Sequence, residues 1–185
     1  DIYQLYAKHH PTFTADDIYN LSKELDTVIY FEALSEVSVR VSHDLFISKE
    51  MIPFDTDAVD RAINSFLSKD YIRIREIDSC LIFPNVGYEW NEYLLESFLL
   101  SYSKKFALVN NGLSLNNVAG FVVKKSGQIN DFIDACAAFL ADGRIELKKV
   151  DALNYLADMN VISRRSYKDI DLALRRAAQI RRRKE

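Results

Sequence analysis

The residues with the most chemical potential in this chain are its late cations. Arg164, Arg165 and Lys168 lie close together, Arg175 and Arg176 follow, and Arg181, Arg182, Arg183 and Lys184 form an unbroken basic run. Cations gathered this way can replace the counterions condensed on a polyanion, the term that dominates affinity for a phosphate backbone. Arg73 and Arg75, two alternate residues of an earlier segment, are further phosphate candidates. The plainer reading of the terminal run is a solvated helix end, where positive charge suits the negative pole of the helix dipole.

No other grouping supports catalysis. The chain contains no Walker A loop, no GxGxxG, no GxSxG and no HExxH. His9 and His10 stand at an expected helix end, and His43 stands beside Asp44. Neighbours in sequence point to different faces of a helix, so His43 and Asp44 form no dyad by spacing. Cys80 and Cys136 are 56 positions apart and read as two separate buried thiols rather than a disulfide. With these histidines they make no zinc-ligand spacing. The acid pairs Asp16/Asp17 and Asp55/Asp57 fall where helix caps belong. The expectation is a protein that is not an enzyme and carries no cofactor and no metal.

The elements that must position the cations belong to an ordinary globular chain. It has 185 residues, 49% hydrophobic and 28% charged, with only 5 glycines and 3 prolines. So few turn residues favour helices joined by short loops. The formal net charge of −3 hides an asymmetry. Residues 1–143 carry 12 Lys+Arg against 21 Asp+Glu, and residues 144–185 carry 12 against 6. An acidic body with a basic end presents its last segment first to any polyanion. Apolar runs break well before the ~18 residues a membrane helix needs, and no signal peptide is seen, which together favour the cytoplasm and no membrane partner. A start at Asp1 rather than Met fits a piece of a larger protein.

Local signals divide the chain as follows. Residues 1–9 read as a short helix ended before Pro11, and Thr14 caps a helix with Asp16 and Asp17 in its first turn. Residues 27–46 repeat apolar side chains every three or four positions, which favours a helix, although Val37–Val41 also alternates as a strand does. Thr56 caps a helix over 57–68. Tyr71–Ile77 alternates as a half-buried strand, Asp78-Ser79 turns, and Cys80–Phe83 returns as its hairpin partner. This order of helix, short helix, helix and two-stranded hairpin over about 27–84 resembles the winged-helix architecture. The resemblance implies a third helix that enters a DNA groove and a hairpin that touches phosphate. The exposed positions of that helix, Asp57, Asp60, Arg61, Asn64 and Ser65, suit a polyanion poorly, so the unit reads more readily as a packing or protein-interaction domain.

After a boundary near Asn85–Gly87, an aromatic stripe from Trp90 to Val109 reads as one long buried helix stopped by Asn110-Asn111-Gly112. Residues 114–125 fit a short helix, with Phe121-Val122-Val123 also open to a strand. The 128–141 segment is strongly helical and turns at Asp142-Gly143. Residues 150–159 form a helix, Asn160-Val161-Ile162 a tight turn, and Ser163 or Ser166 caps a last helix. That final pair resembles a helix-turn-helix, which implies phosphate contacts from Arg164, Arg165 and Lys168 at the start of the second helix. No internal repeat or low-complexity tract appears.

The expected fold is therefore mainly α with a small β-hairpin, a winged-helix-like unit over 1–86 and a helical unit over 87–185. The expected function is a non-catalytic, nucleic-acid-associated regulator or accessory subunit that holds the phosphate backbone through its basic C-terminal helices. The alternative is a helical protein-interaction module, or the C-terminal domain of a larger multi-domain protein, with a protein partner in place of nucleic acid.

Overall fold

A computed structural model describes residues 1–78 and 80–185, apart from the side chain of Cys80. Within it, Ser79 of the expected hairpin turn and the Cys80 thiol lie outside the described residues. Among the described residues the fold is mixed α/β: eight α-helices carry most of the regular structure, beside two three-stranded antiparallel sheets. The chain forms two compact units, each assembled from separate segments. The first comprises Asp1–Ser65, Asp78–Lys104 and Ser114–Asn116, and the second Phe66–Ile77, Lys105–Leu113 and Asn117–Glu185. The sequence reading placed a single cut near residue 86.

The first unit opens with α1 (Ile2–His9), capped by Asp1. Strand β1 (Thr12–Thr14) leads into α2 (Ala15–Glu24), where Thr14 and Asp17 form a reciprocal capping box. Helix α3 (Phe31–Val37) then gives way to β2 (Ser38–Arg40) and β3 (Leu45–Ser48). The helix expected through residue 46 thus ends at Val37, because the alternation from Val37 to Val41 wins once Val39 and Val41 face a core. β3 lies between β1 and β2, and the register sets Phe13 opposite Phe46, their rings stacked at 5.0 Å. Tyr3, Ile18 and Leu34 close this core from the three helices.

Helix α4 (Thr56–Asn64) starts at the residue expected to cap it: Asp55, not Thr56, accepts from the Ala58 amide at 3.0 Å. Its Asp60 is 1% exposed and accepts from Ser103 Oγ at 2.6 Å and the Lys104 amide at 3.0 Å. Asp60 is therefore an anchor for the end of α5 (Glu92–Ser101), not the exposed position expected from sequence. Asp60→Ala strips both donors of their acceptor in a buried place. Urea unfolding should show a loss of about 3 kcal/mol; a loss under 1 kcal/mol would mean that water replaces the carboxylate.

Among the described residues the expected hairpin is not formed. β4 (Tyr71–Arg73) is a strand, but Cys80–Ile82 is a single helical turn. β4 pairs instead with β6 (Phe121–Lys124), whose other edge holds β5 (Phe106–Val109). Two sequence expectations are corrected here: the aromatic stripe breaks after Ser101 to yield β5, and 121–124 is strand rather than helix. Phe121, Val122 and Val123 are each at most 2% exposed, so this central strand is buried on both faces and shows no alternation. In both sheets the first and second strands each pair with the third.

The second unit is completed by α6 (Phe132–Asp142), α7 (Lys149–Asp158) and α8 (Ile170–Lys184). Asp131 caps α6 through the Asp134 amide at 2.8 Å. Ala135, Cys136 and Ala137 on α6 and Ala173 and Ala177 on α8 are all buried. Small side chains on both helices let their backbones approach closely. The Cys136 thiol is free and buried, and burial raises its pKa and makes it inert.

Candidate polyanion interface

The helix-turn-helix expected at the C-terminus is not built as expected. Asn160 does take the left-handed conformation a turn requires, with φ 55°. The last helix, however, begins at Ile170 rather than at Ser163 or Ser166, and its N-cap Asp169 makes no side-chain cap bond. Val161, Ile162 and Tyr167 are buried and anchor the intervening segment, whose residues 163–166 stay exposed and irregular, so the connection is longer than a tight turn. α8 packs chiefly on α6, with a smaller contact to α7.

Five of the eleven expected phosphate ligands are engaged within the second unit. Arg73, 19% exposed at its side chain, donates to the Met159 carbonyl at 2.9 Å and pairs with Glu76 at 3.3 Å. Arg165 pairs with Asp158 at 3.0 Å and Arg176 with Asp134 at 2.7 Å. Arg181 donates to the carbonyls of Leu140, Ala141 and Gly143 at 3.0, 3.1 and 2.7 Å, and so satisfies the end of α6. Lys184 pairs with Asp142 at 2.6 Å. Arg75 also makes an interaction within the chain.

These commitments differ in strength. Arg165 and Lys184 are themselves more than 60% exposed, and pairs made by such surface cations contribute about 0–1 kcal/mol. Arg181 holds three carbonyls and Arg73 is largely buried, so neither is free to meet a ligand.

Arg164, Lys168, Arg175, Arg182 and Arg183 are exposed and form no ion pair or side-chain hydrogen bond among the described residues. Arg175 and Arg182 are two helical turns apart and share the outer face of α8, opposite buried Ala173 and Ala177. Arg183 follows on the same last turn. Arg164 and Lys168 lie in the segment that precedes α8. One acid, Asp171, shares the outer face, in the first turn where the dipole favours it.

A second cationic feature, invisible in the sequence, gathers around Asp142. This carboxylate ends α6, the pole at which helices favour cations. It accepts from Lys69 Nζ at 2.9 Å, Tyr71 Oη at 3.0 Å and Lys184 Nζ at 2.6 Å. Burial alone would raise its pKa, but the three donors overcome this and hold it at about 2. Burial and the adjacent carboxylate push the Tyr71 phenol up, so it stays protonated and donates. Lys69, Tyr71 and Asp142 line a cleft of about 310 Å³ together with Phe66, Ile72, Phe139 and Tyr155, and Lys184 reaches its edge through the bond to Asp142.

Among the described residues no three His, Cys, Asp or Glu side chains come together to hold a metal ion, and no helix is long and apolar enough to cross a membrane. Compared with protein-family models, with curated proteins and with solved structures, the chain gives no match.

Proposed function

We propose that this chain is a non-catalytic, nucleic-acid-associated accessory protein whose second unit holds a phosphate backbone with Arg164, Lys168, Arg175, Arg182 and Arg183. The observation that carries this reading is the sorting of the late cations. Arg165, Arg176, Arg181 and Lys184 are engaged by the protein's own carboxylates and carbonyls, whereas Arg164, Lys168, Arg175, Arg182 and Arg183 are exposed and are not. Five unpaired side chains are enough for sequence-independent, salt-sensitive binding and too few for the tight grip that eleven would give.

The first unit has a different role in this reading. The winged-helix order expected over 27–84 is not formed there; the first unit instead carries three helices followed by the β2–β3 hairpin over Ile2–Ser48, with β1 completing the sheet. Its third helix, α3, exposes Glu32 and Glu36 and contains no lysine or arginine. Such a face repels phosphate. A protein-facing role for this unit is favoured by its exposed apolar side chains, including Val28 at 76% and Tyr30 at 56%.

Salt titration tests the phosphate reading. Affinity for random-sequence duplex should fall with a log–log slope no steeper than about −4.5, against about −10 had all eleven cations engaged. Replacing the five by alanine should abolish measurable duplex binding at low salt, whereas the circular dichroism spectrum stays that of the parent. Undiminished binding by the five-alanine variant would remove the basis of the proposal.

A further inference from the structure

The cleft bordered by Asp142 combines three features that packing alone does not require. A carboxylate stands at the wrong pole of α6 for helix stability and is retained there by two ammonium groups and a phenol. Departures from a local rule that need such compensation concentrate at functional sites. Lys69 and Lys184 each donate once to Asp142 and are about 60% exposed, so each keeps donors for a second acceptor. Finally, apolar side chains line the cleft beside these polar groups, and its volume of about 310 Å³ falls at the lower end of the roughly 300–1,000 Å³ typical of small-ligand pockets.

Charge narrows the ligand class. Asp142 neutralises one of Lys69 and Lys184, and Glu76 on the cleft is paired with Arg73. Arg181, bound to the carbonyl of the cleft residue Gly143, adds another positive charge. A phosphate monoester, at about −1.5 to −2 near neutral pH, matches this excess better than a single carboxylate. The apolar lining is built largely from rings and fits a flat body rather than a long chain.

We propose that this cleft binds one nucleotide, its phosphate on Lys69 and Lys184 and its base against Phe66, Ile72 and Tyr155. The choice of a nucleotide among flat anions rests on the phosphate reading above; the cleft and its charge do not. A free mononucleotide and the phosphorylated end of a single strand present the same chemistry.

The test uses the full chain and four probes: adenosine monophosphate, adenosine, inorganic phosphate, and a 5′-phosphorylated adenine hexanucleotide, each titrated by calorimetry. Adenosine monophosphate should bind, with adenosine and phosphate at least about tenfold weaker, since each lacks one half of the recognised group. Ser68→Trp fills the cleft from an exposed position, and Lys69→Met removes one ammonium group. Each should weaken adenosine monophosphate about tenfold. A hexanucleotide that binds more tightly than the mononucleotide, and is weakened equally by both variants, identifies a strand end; equal affinities identify the free nucleotide. If neither probe binds, or if both bind the Ser68→Trp variant as they bind the parent, the cleft assignment is overturned. Duplex binding that persists in that case leaves the phosphate reading of the outer face standing. Nucleotide binding in a protein that ignores duplex would separate the two the other way.

Discussion

Adding one methyl group at Gly120 is expected to destabilise the second unit by roughly 3–5 kcal/mol. Gly120 stands at the head of β6 with φ +111°, a backbone region that side-chain-bearing residues rarely adopt. Its Cβ would overlap the Val109 carbonyl oxygen and come within 2.8 Å of Asn110 Cβ, at the end of β5. Gly120 also accepts from the Ile74 amide at 3.0 Å and donates to the Asn160 carbonyl at 3.3 Å. One residue thus ties the sheet to the segment between α7 and α8, and a shift that relieves the overlap strains both bonds. Gly112 supplies the control. Its φ is +110° but nothing lies within 4 Å of its added Cβ, so Gly112→Ala should cost only about 1–2 kcal/mol. Urea unfolding monitored by circular dichroism compares the two. Equal losses would show that backbone conformation, not the close approach of β5, explains the requirement for glycine at 120.

Glu96 should make the protein less stable as pH rises through the weakly acidic range. The side chain is 7% exposed on α5 and accepts no hydrogen bond among the described residues. Burial raises its carboxyl from 4.5 to about 7, and the buried Arg40 guanidinium offsets only part of that shift. A carboxyl raised on folding favours the folded state while it is protonated. The contribution is complete below pH 4.5, fades as pH climbs, and is lost above about 7. A shift of this size corresponds to about 3 kcal/mol between the limits. Glu96→Gln keeps the shape without the ionisation. It should be the more stable protein at pH 8, by about 2–3 kcal/mol, and should lack the decline between pH 4.5 and 7. Parallel pH profiles for parent and variant would show that Glu96 stays ionised in the fold. Asp142 acts in the opposite direction. Its carboxyl is held at about 2, below the ordinary 3.8, so its contribution is present above pH 4 and is lost as pH falls toward 2.

Helix starts and stops were legible in the residues themselves wherever a cap acts within one turn. Thr14 and Asp17 announced α2, the Asp142-Gly143 step ended α6, and Asn160 occupied the left-handed position expected of it.

Strand pairing was not legible. Tyr71–Arg73 was recognisable as a strand from its alternation, but the choice of Phe121–Lys124 over the nearby Cys80–Phe83 depends on contacts made some 50 residues away. The shared strand order of the two sheets, with no repeat in the sequence, was hidden for the same reason.

Charge, too, was countable in the sequence, but its availability was not. Arg176 pairs with Asp134, Lys184 shares Asp142 with Lys69, and Arg181 is spent on the carbonyls that end α6. Each of these pairs joins residues about 40 positions apart, brought together only when α8 docks on α6. The amino-acid order determined how many positive groups the C-terminal segment carries and which helix face they occupy. Tertiary packing alone decided which remain free for another molecule, because an ion pair depends on distance in space, and the chain reaches that distance only by folding.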